Sequence, residues 1–570
     1  MKNSEIADIL DEIADILEFK GDNTFKISAY RKASRNIREF PEDIEQLWRN
    51  GELSKIPGIG KNISDHIDEY LKSGSISKYK EVLENIPKTF VELMKIPNLG
   101  PKTLKLLYDR FKIQTIEDLK NVLEKPETLT LPGMGRKKIE NIKQGLDLYI
   151  SKKAEQRISL GVAFPIVSEI VEYMKPVCTN ISPCGSLRRM KETIGDIDIL
   201  CTSNNPESII KRFVEYPKTL RVIAEGDTKG SIIVKEKSLQ VDLRVVEPDS
   251  YGAALQYFTG SKQHNIKLRT LAKEKGLKIS EYGVFKGEKK IAGKTEEEVY
   301  RVFNMPVIPP ELREDRGEIE EALKGNLPDL VEQKDILGDF HVHSNFSDGS
   351  NTIEEIVKKS ISLGYKFVGI ADHSQTSKFA GGMDKQKLLE RNKKIDEVVQ
   401  RYPGIKIFKG AEVDILGDGN LDYADEILAQ LDFVIGSVHQ GFHKNITERM
   451  IKAMENPYLD IIGHPTGRLI SGREGYDIDI DRVIEYAGKT GVALEINAYF
   501  DRLDLNDINV LKARQKGVML AIGTDAHNIN MFEYMKLGVA VARRGWLDKK
   551  RVLNCYSVFD IPLRRKRLKK

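Results

Sequence analysis

Beyond Asp335 the chain repeats one unit, an apolar run of roughly four to eight residues followed by an amphipathic helical stretch. The runs end in His343, His373, Glu412, His439, His464, Asn497 and His527, which makes seven β-α units. A series of that kind is close to a (β/α) barrel, where functional groups collect at the C-terminal ends of the strands. Seven of the nine histidines fall between His341 and His527, so the part that folds this way is also set apart chemically.

The remaining length must hold other folding units, because 570 residues exceed the usual domain several times over. A hydrophobic content of 40% with 31% charged residues suits a soluble globular chain. No apolar run approaches the roughly 20 residues that span a bilayer, and the N-terminus lacks the basic start and apolar stretch of a secretory signal. The expectation is a cytoplasmic monomer with no membrane partner. Cys178, Cys184, Cys201 and Cys555 have no CxxC spacing, which argues against a disulfide framework or a structural zinc knuckle. The net charge of +4 conceals local differences: residues 1–50 carry 8 Lys/Arg against 11 Asp/Glu, whereas 251–295 carry 10 against 3. Any nucleic-acid footprint is therefore local.

One pattern occurs three times in the first 150 residues: Ile56-Pro-Gly58-Ile-Gly60-Lys61, Ile96-Pro-Asn98-Leu-Gly100-Pro-Lys102 and Leu131-Pro-Gly133-Met-Gly135-Arg136. Each copy follows a helical stretch and opens another. Glycine, or Asn98 in its place, permits the positive φ of a tight turn. Free N–H groups at the next helix N-terminus can then face a phosphate, with Lys61, Lys102 or Arg136 beside them. The repeat resembles helix-hairpin-helix motifs, which grip the DNA backbone without reading sequence.

Between about 151 and 305, helices mix with strands. Gly185-Ser186-Leu-Arg188-Arg189 precedes Asp196-Ile-Asp198-Ile, and on a strand Asp196 and Asp198 share one face while Ile197 and Ile199 pack below. Two carboxylates so close need a cation between them, and Mg²⁺ suits oxygen ligands and phosphates. Asp242, flanked by Val241 and Leu243, is placed to join them, with two Mg²⁺ ions serving nucleotidyl transfer. Asp242 is then the expected proton acceptor, while Ser186 and Arg189 bind the non-transferred phosphates.

Gly-Ser ahead of a strand-borne DxD resembles the nucleotidyltransferase superfamily. Tyr257-Phe258-Thr-Gly260-Ser261, with Asn265 and Arg269, narrows the resemblance to family X DNA polymerases, over roughly residues 1 to 320 and including Tyr30-Arg31-Lys32 and Ile67-Asp-Glu-Tyr70. That resemblance implies deoxynucleoside triphosphates and gapped or primed double-stranded DNA as substrates. It places Tyr257 and Phe258 against the incoming sugar, and Asn265 and Arg269 at the nascent pair and template. His264, beside Asn265, is assigned to the same site. Two positions depart from the family. His66 stands where vertebrate relatives carry a lyase lysine, and an imidazole cannot form that Schiff base, so deoxyribose-phosphate lyase activity is expected to be weak or absent. Gln240 replaces an arginine two residues before Asp242, which removes a charge that would orient the carboxylate.

In the barrel segment His341, His343 and Asp348 are followed by His373, Glu412, His439, His464, Asp525 and His527. Mixed histidine and carboxylate donors suit Zn²⁺, Mn²⁺ or Fe²⁺. The series resembles the PHP family of polymerases and histidinol phosphatases, over about 335 to 570. The resemblance implies that these nine residues hold up to three metals, that Glu412 bridges two of them, and that metal-activated water hydrolyses a phosphoester.

The fold expected is multidomain: an all-α helix-hairpin-helix region, an α+β nucleotidyltransferase core and a C-terminal distorted (β/α)7 PHP barrel. The boundaries are a DNA-binding domain at 1–90, fingers at 91–150, palm at 151–260, thumb at 261–320, a linker at 321–334 at the end of a Pro-rich acidic stretch that runs from Asn304 to Pro328 with a short helix inside it, and the PHP domain at 335–570. The function expected is gap-filling repair synthesis with a 3′-5′ exonuclease, which also suits cutting at abasic sites or removing 3′-phosphates. The rivals are a small-molecule phosphatase tethered to a DNA-binding module and a DNA-end scaffold without turnover.

Overall fold

In the computed structural model the described residues are 2–39, 44–53, 56, 59–73, 75–83, 90, 93–94, 96, 98–113, 115–154, 157–472 and 475–564. They fall into two compact units, Met1–Gln156 and Arg157–Lys570.

The first unit is helical, around two apolar cores. One gathers Ile6, Leu10, Ile13, Leu17, Ile63 and Ile67. The other gathers Phe19, Phe90, Leu104, Leu107, Leu119 and Ile142. Helix Lys61–Ser73 shows the sequence logic, because its buried Ile63, Ile67 and Tyr70 recur at helical spacing.

The second unit opens with a short antiparallel pair, β1 (Ile158–Ser159) and β3 (Thr193–Ile194). Its five-stranded palm sheet has the order β2 (Asn180–Pro183), β4 (Asp196–Thr202), β7 (Gln240–Val246), β6 (Lys229–Val234), β5 (Thr219–Glu225), and β4 and β7 run parallel at its centre. A three-stranded sheet follows, β8 (Lys278–Ser280), β9 (Gly283–Lys286) and β10 (Lys289–Ala292), all antiparallel.

The barrel region holds two parallel sheets. One is β11 (Gly338–Val342), β12 (Phe367–Ile370) and β13 (Lys406–Lys409). The other is β14 (Glu412–Asp414), β15 (Ile435–Ser437), β16 (Ile461–Ile462), β17 (Ala493–Asn497) and β18 (Leu520–Gly523). Bridges His373↔Glu412 and Val342↔Ala526 join the sheets at both seams. With β13 and β14 counted as one strand interrupted at Gly410-Ala411, seven strands make the ring. An apolar cluster draws Phe340, Phe367, Phe408, Ile435, Ile461, Ala493 and Ala521 from all seven, below the polar strand ends.

The 321–334 segment, expected as a linker, is packed. Ala322, Leu330 and Val331 are buried, and the Val331 N–H donates to the Leu547 carbonyl at 2.9 Å. Just upstream, the acidic residues that suggested a spacer meet arginines: Glu311 pairs with half-buried Arg543 at 2.7 Å and Glu314 with buried Arg544 at 3.1 Å. Their partners lie some 230 residues away in sequence, so local composition suggested a solvated segment.

Candidate active sites

In the palm, strand alternation sets the geometry: Ile197 and Ile199 are buried while Asp196 is exposed and Asp198 half-buried. The parallel register brings Asp198 opposite Asp242 and Asp196 opposite Gln240. Gly185, at φ 59°, begins the short helix after β2, and a Cβ there would lie 2.7 Å from Asp198 Oδ2, so only glycine fits. Burial, and then the charges of Asp196 and Asp242, push the Asp198 carboxyl up to about 6. Burial works the same way on Asp242, but hydrogen bonds from Gln240, Lys229 and Ser231 outweigh it and hold that carboxyl below its usual value. Gln240 Nε2 donates to Asp242 Oδ1 at 3.0 Å, and Lys229 Nζ lies 3.0 Å from Oδ2. A cavity of about 40 Å³ beside the triad is lined by Cys184, Asp198, Lys229, Asp242, Arg244 and Phe258.

The neighbouring residues divide. Phe258 packs edge-on against Tyr257, with centroids 5.2 Å apart, and carries the Arg244 guanidinium 4.8 Å above its ring. Asn265 donates to the carbonyls of Tyr257 at 2.7 Å and Gly260 at 3.2 Å, which fixes the end of helix Tyr251–Thr259. Arg269 is exposed and donates to the Asn265 carbonyl at 3.3 Å. Ser186 is half-buried within the Gly185–Arg188 turn. Arg189 departs from expectation: it is 9% exposed, and its guanidinium meets Glu314 at 2.9 Å and the Thr259 carbonyl at 2.8 Å instead of opening toward the aspartates. His264 also departs. It is fully buried, with Nδ1 2.6 Å from Glu318, and its place is in the thumb interior rather than at the palm site.

The barrel mouth is more enclosed. His341, His343, Glu412 and His464 are no more than 2% exposed. Glu412 sits centrally, with Oε2 3.4, 3.6 and 3.0 Å from nitrogens of His341, His343 and His373, and Oε1 3.2 and 2.9 Å from His439 and His464. Asp348 lies 3.5 Å from His373 and 3.2 Å from His527, while Asp525 lies 3.2 Å from His343. Three groups of donors close within 4.8 Å: His343-Asp348-His373-His527, His341-His343-Glu412 and His373-Glu412-His439. The palm aspartates form no group that tight among the described residues. Buried His341 Nε2, both nitrogens of His343, His373 Nδ1, Glu412 Oε2 and His464 Nδ1 make no hydrogen bond. Orphaned nitrogens and an oxygen gathered within 4.8 Å, as in the three groups above, are what divalent cations satisfy, so the donor set fits metals.

Sequence reading missed the acids behind these ligands. Glu495 takes His341 Nδ1 at 2.6 Å and the His464 N–H at 2.6 Å, and Asp414 takes His439 Nδ1 at 2.6 Å. Each fixes a tautomer and aims the other ring nitrogen inward. A period-two reading could have found them, since Asp414 lies two residues after Glu412 and Glu495 two before Asn497.

The three hairpins share one backbone device. The N–H groups of Ile59, Leu99 and Met134 donate to the carbonyls of Ile56, Ile96 and Leu131, at 3.3, 3.1 and 3.1 Å. Asn98 at φ 68° and Gly133 at φ 76° make the turns, and Gly58 lies outside the described residues. Gly60, Gly100 and Gly135 are exposed at the starts of helices Lys61–Ser73, Pro101–Phe111 and Arg136–Ala154, as are Lys61, Lys102 and Arg136. His66 accepts or donates a 3.0 Å hydrogen bond with the Tyr30 hydroxyl, and burial lowers its pKa. No helix of the described residues is long and apolar enough to cross a membrane.

Residues 1–76 match a helix-hairpin-helix domain, 90–147 a SAM-like helix-hairpin-helix tandem, 254–314 the DNA polymerase beta thumb and 339–499 the PHP domain. The DNA polymerase/3′-5′ exonuclease PolX of Bacillus subtilis is 41% identical over 98% of this chain and 99% of its own. DNA polymerase lambda of Arabidopsis thaliana is 27% identical over 55% of this chain and 62% of its own, and a probable phosphatase of Caldanaerobacter subterraneus is 31% identical over 37% and 91%. Identity of 41% to one relative over nearly the whole of both chains, with hairpin, thumb and PHP matches along this one, establishes that the chain belongs to the family X DNA polymerases that carry a C-terminal PHP domain.

Proposed function

We propose that the chain fills short gaps in DNA by templated nucleotidyl transfer at Asp196, Asp198 and Asp242, and degrades 3′ ends at the nine-residue barrel centre. The observation that carries this reading is that one compact unit holds two separate donor clusters, Asp198 opposite Asp242 in the palm and Glu412 among five imidazoles in the barrel. The domain plan is the one expected above, with 321–334 serving as a packed junction.

In the palm, two Mg²⁺ ions held by the three aspartates would neutralise charge on the triphosphate and make the primer 3′ hydroxyl more acidic. Gly185 lets the Asp198 carboxylate approach the backbone of the phosphate-binding turn, where Ser186 offers a hydroxyl. Arg189 reaches a triphosphate only by leaving Glu314. Tyr257 and Phe258 form the wall against which a deoxyribose rests, and Asn265 holds that wall in place. Exposed helix N-termini at Gly60, Gly100 and Gly135 donate to DNA phosphates, helped by Lys61, Lys102 and Arg136.

In the barrel, up to three Zn²⁺, Mn²⁺ or Fe²⁺ ions held by the nine residues would activate water and neutralise phosphoryl oxygens. Glu412, facing five imidazoles, would share in holding the ions with them. Glu495 and Asp414 hold His341 and His439 in the ligating tautomer. His66 puts an imidazole, which forms no Schiff base, at the position where vertebrate relatives carry the lyase lysine. The protein is proposed to act as a monomer on gapped or primed duplex DNA and deoxynucleoside triphosphates.

The test is a labelled primer on a one-nucleotide gap. Extension with deoxynucleoside triphosphates and shortening without them support the reading. The phosphatase likeness favours a second reading, a small-molecule phosphatase tethered to a DNA-binding module. It predicts release of phosphate from histidinol phosphate with the DNA left intact.

A further inference from the structure

Asp242 is the palm carboxylate with the most partners, and they come from two strands. On β7, Gln240 lies on the same face and reaches Oδ1 at 3.0 Å. On β6, Ser231 stands opposite Asp242 in the antiparallel register, and Lys229, two residues earlier, reaches Oδ2 at 3.0 Å. Both oxygens are thereby engaged, which fixes the rotation of the carboxylate plane. Among the described residues this is the one ion pair the aspartate triad makes. Arg244, the nearest other cation in the lining, is stacked on Phe258 at 4.8 Å.

Resting on the polymerase reading above, we propose that Lys229 is a positioning residue for nucleotidyl transfer, supplying from β6 the charge on Asp242 that the uncharged Gln240 cannot supply from β7. Three carboxylates on neighbouring strands repel, and without a fixed cation only the neutral donors of Gln240 and Ser231 oppose rotation of Asp242. A lysine on the next strand suits the task because its stem crosses the inter-strand spacing and its head remains at the mouth, where the Lys229 side chain is 46% exposed. The charge thus comes from across the sheet instead of from two residues upstream.

The test compares wild type, Lys229→Ala, Lys229→Arg, and Lys229→Ala combined with Gln240→Arg, on the one-nucleotide gap at saturating Mg²⁺ and DNA. Lys229→Ala should lower kcat for extension 10- to 100-fold, with KM for the nucleotide within threefold of wild type. Lys229→Arg should stay within about fivefold of wild type. Gln240→Arg should restore at least tenfold of what Lys229→Ala loses, because it returns the charge to the same carboxylate from the other side. Degradation of 3′ ends by the same preparations should stay within twofold, which certifies the fold. Gapped-DNA affinity in EDTA, read by fluorescence anisotropy, should also stay within twofold. Extension by Lys229→Ala at or above the wild-type rate would overturn the proposal. So would weakened DNA affinity with kcat unchanged, the signature of a DNA contact, and so would failure of both arginine variants to rescue. Wild-type protein that cannot extend the primer would overturn the polymerase reading itself.

Discussion

The two sites solve the same problem, crowding negative or lone-pair donors together, in different ways. At the barrel mouth the protein does nearly all of it. Its ligands arrive from six of the seven strands of a ring, four are no more than 2% exposed, and Glu495, from the remaining strand β17, and Asp414 stand behind the imidazoles at 2.6 Å. In the palm three carboxylates line one open sheet, Asp196 is exposed, and the orienting partners are Gln240, Lys229 and Ser231 on Asp242. The difference teaches what each site leaves to its substrate. A barrel closed around its donors can hold ions without help, whereas the palm becomes complete when triphosphate oxygens add to the aspartates.

Metal exchange offers the largest effect with which to break that comparison. Chelation followed by Mg²⁺ alone should restore primer extension, while 3′ degradation stays at least ~10³-fold down until Mn²⁺, Zn²⁺ or Fe²⁺ returns. Equal recovery of both activities with Mg²⁺ would erase the distinction.

Next in size is an acid-sensitive tie in the thumb. Glu296 pairs with Arg313 and, at 2.7 Å, with Arg188. Despite the opposing effect of burial, the two guanidinium charges hold its carboxyl down to about 2. A carboxyl lowered on folding stabilises above its unfolded pKa, and the contribution disappears as pH falls from about 4.5 to about 2. Glu296→Gln should therefore destabilise the second unit by ~3 kcal/mol at pH 7. Unfolding midpoints of the two proteins should converge near pH 2, and a gap that persists there would contradict the ion-pair account.

Smaller again is the effect of the orienting acids. Glu495→Gln should lower 3′ degradation and barrel metal affinity by ~10- to 100-fold, with extension unchanged. Metal content by mass spectrometry and both rates on one preparation decide it. A loss confined to extension would put Glu495 in the wrong site. The smallest effect belongs to the hairpins. Lys61→Ala, Lys102→Ala or Arg136→Ala should each weaken gapped-DNA binding about two- to threefold and reduce the salt slope by about 1. An unchanged slope in all three would remove the hairpins from the DNA interface.

How much of this was legible in the sequence follows from the range of each interaction. Period-two alternation around Asp196, Asp198 and Asp242, and polar residues ending apolar runs, are local patterns that survive translation into strands. The three hairpins repeat, and repetition made them readable. Lys229 was missed because its role depends on the β6/β7 register, and nothing in Asp-Thr-Lys-Gly marks it. Arg189 was assigned to phosphate because its partner Glu314 lies 125 residues away. The acidic Pro-rich stretch looked solvated until the arginines of helix Met535–Arg544 were folded against it.

The central claim is that two independent chemistries share one chain, and the most direct measurement gives Asp196→Ala/Asp198→Ala and His341→Ala/His343→Ala proteins the same labelled one-nucleotide gap. The account predicts that the aspartate variant loses extension and keeps 3′ degradation, and that the histidine variant does the reverse. Loss of both activities in either protein would contradict it.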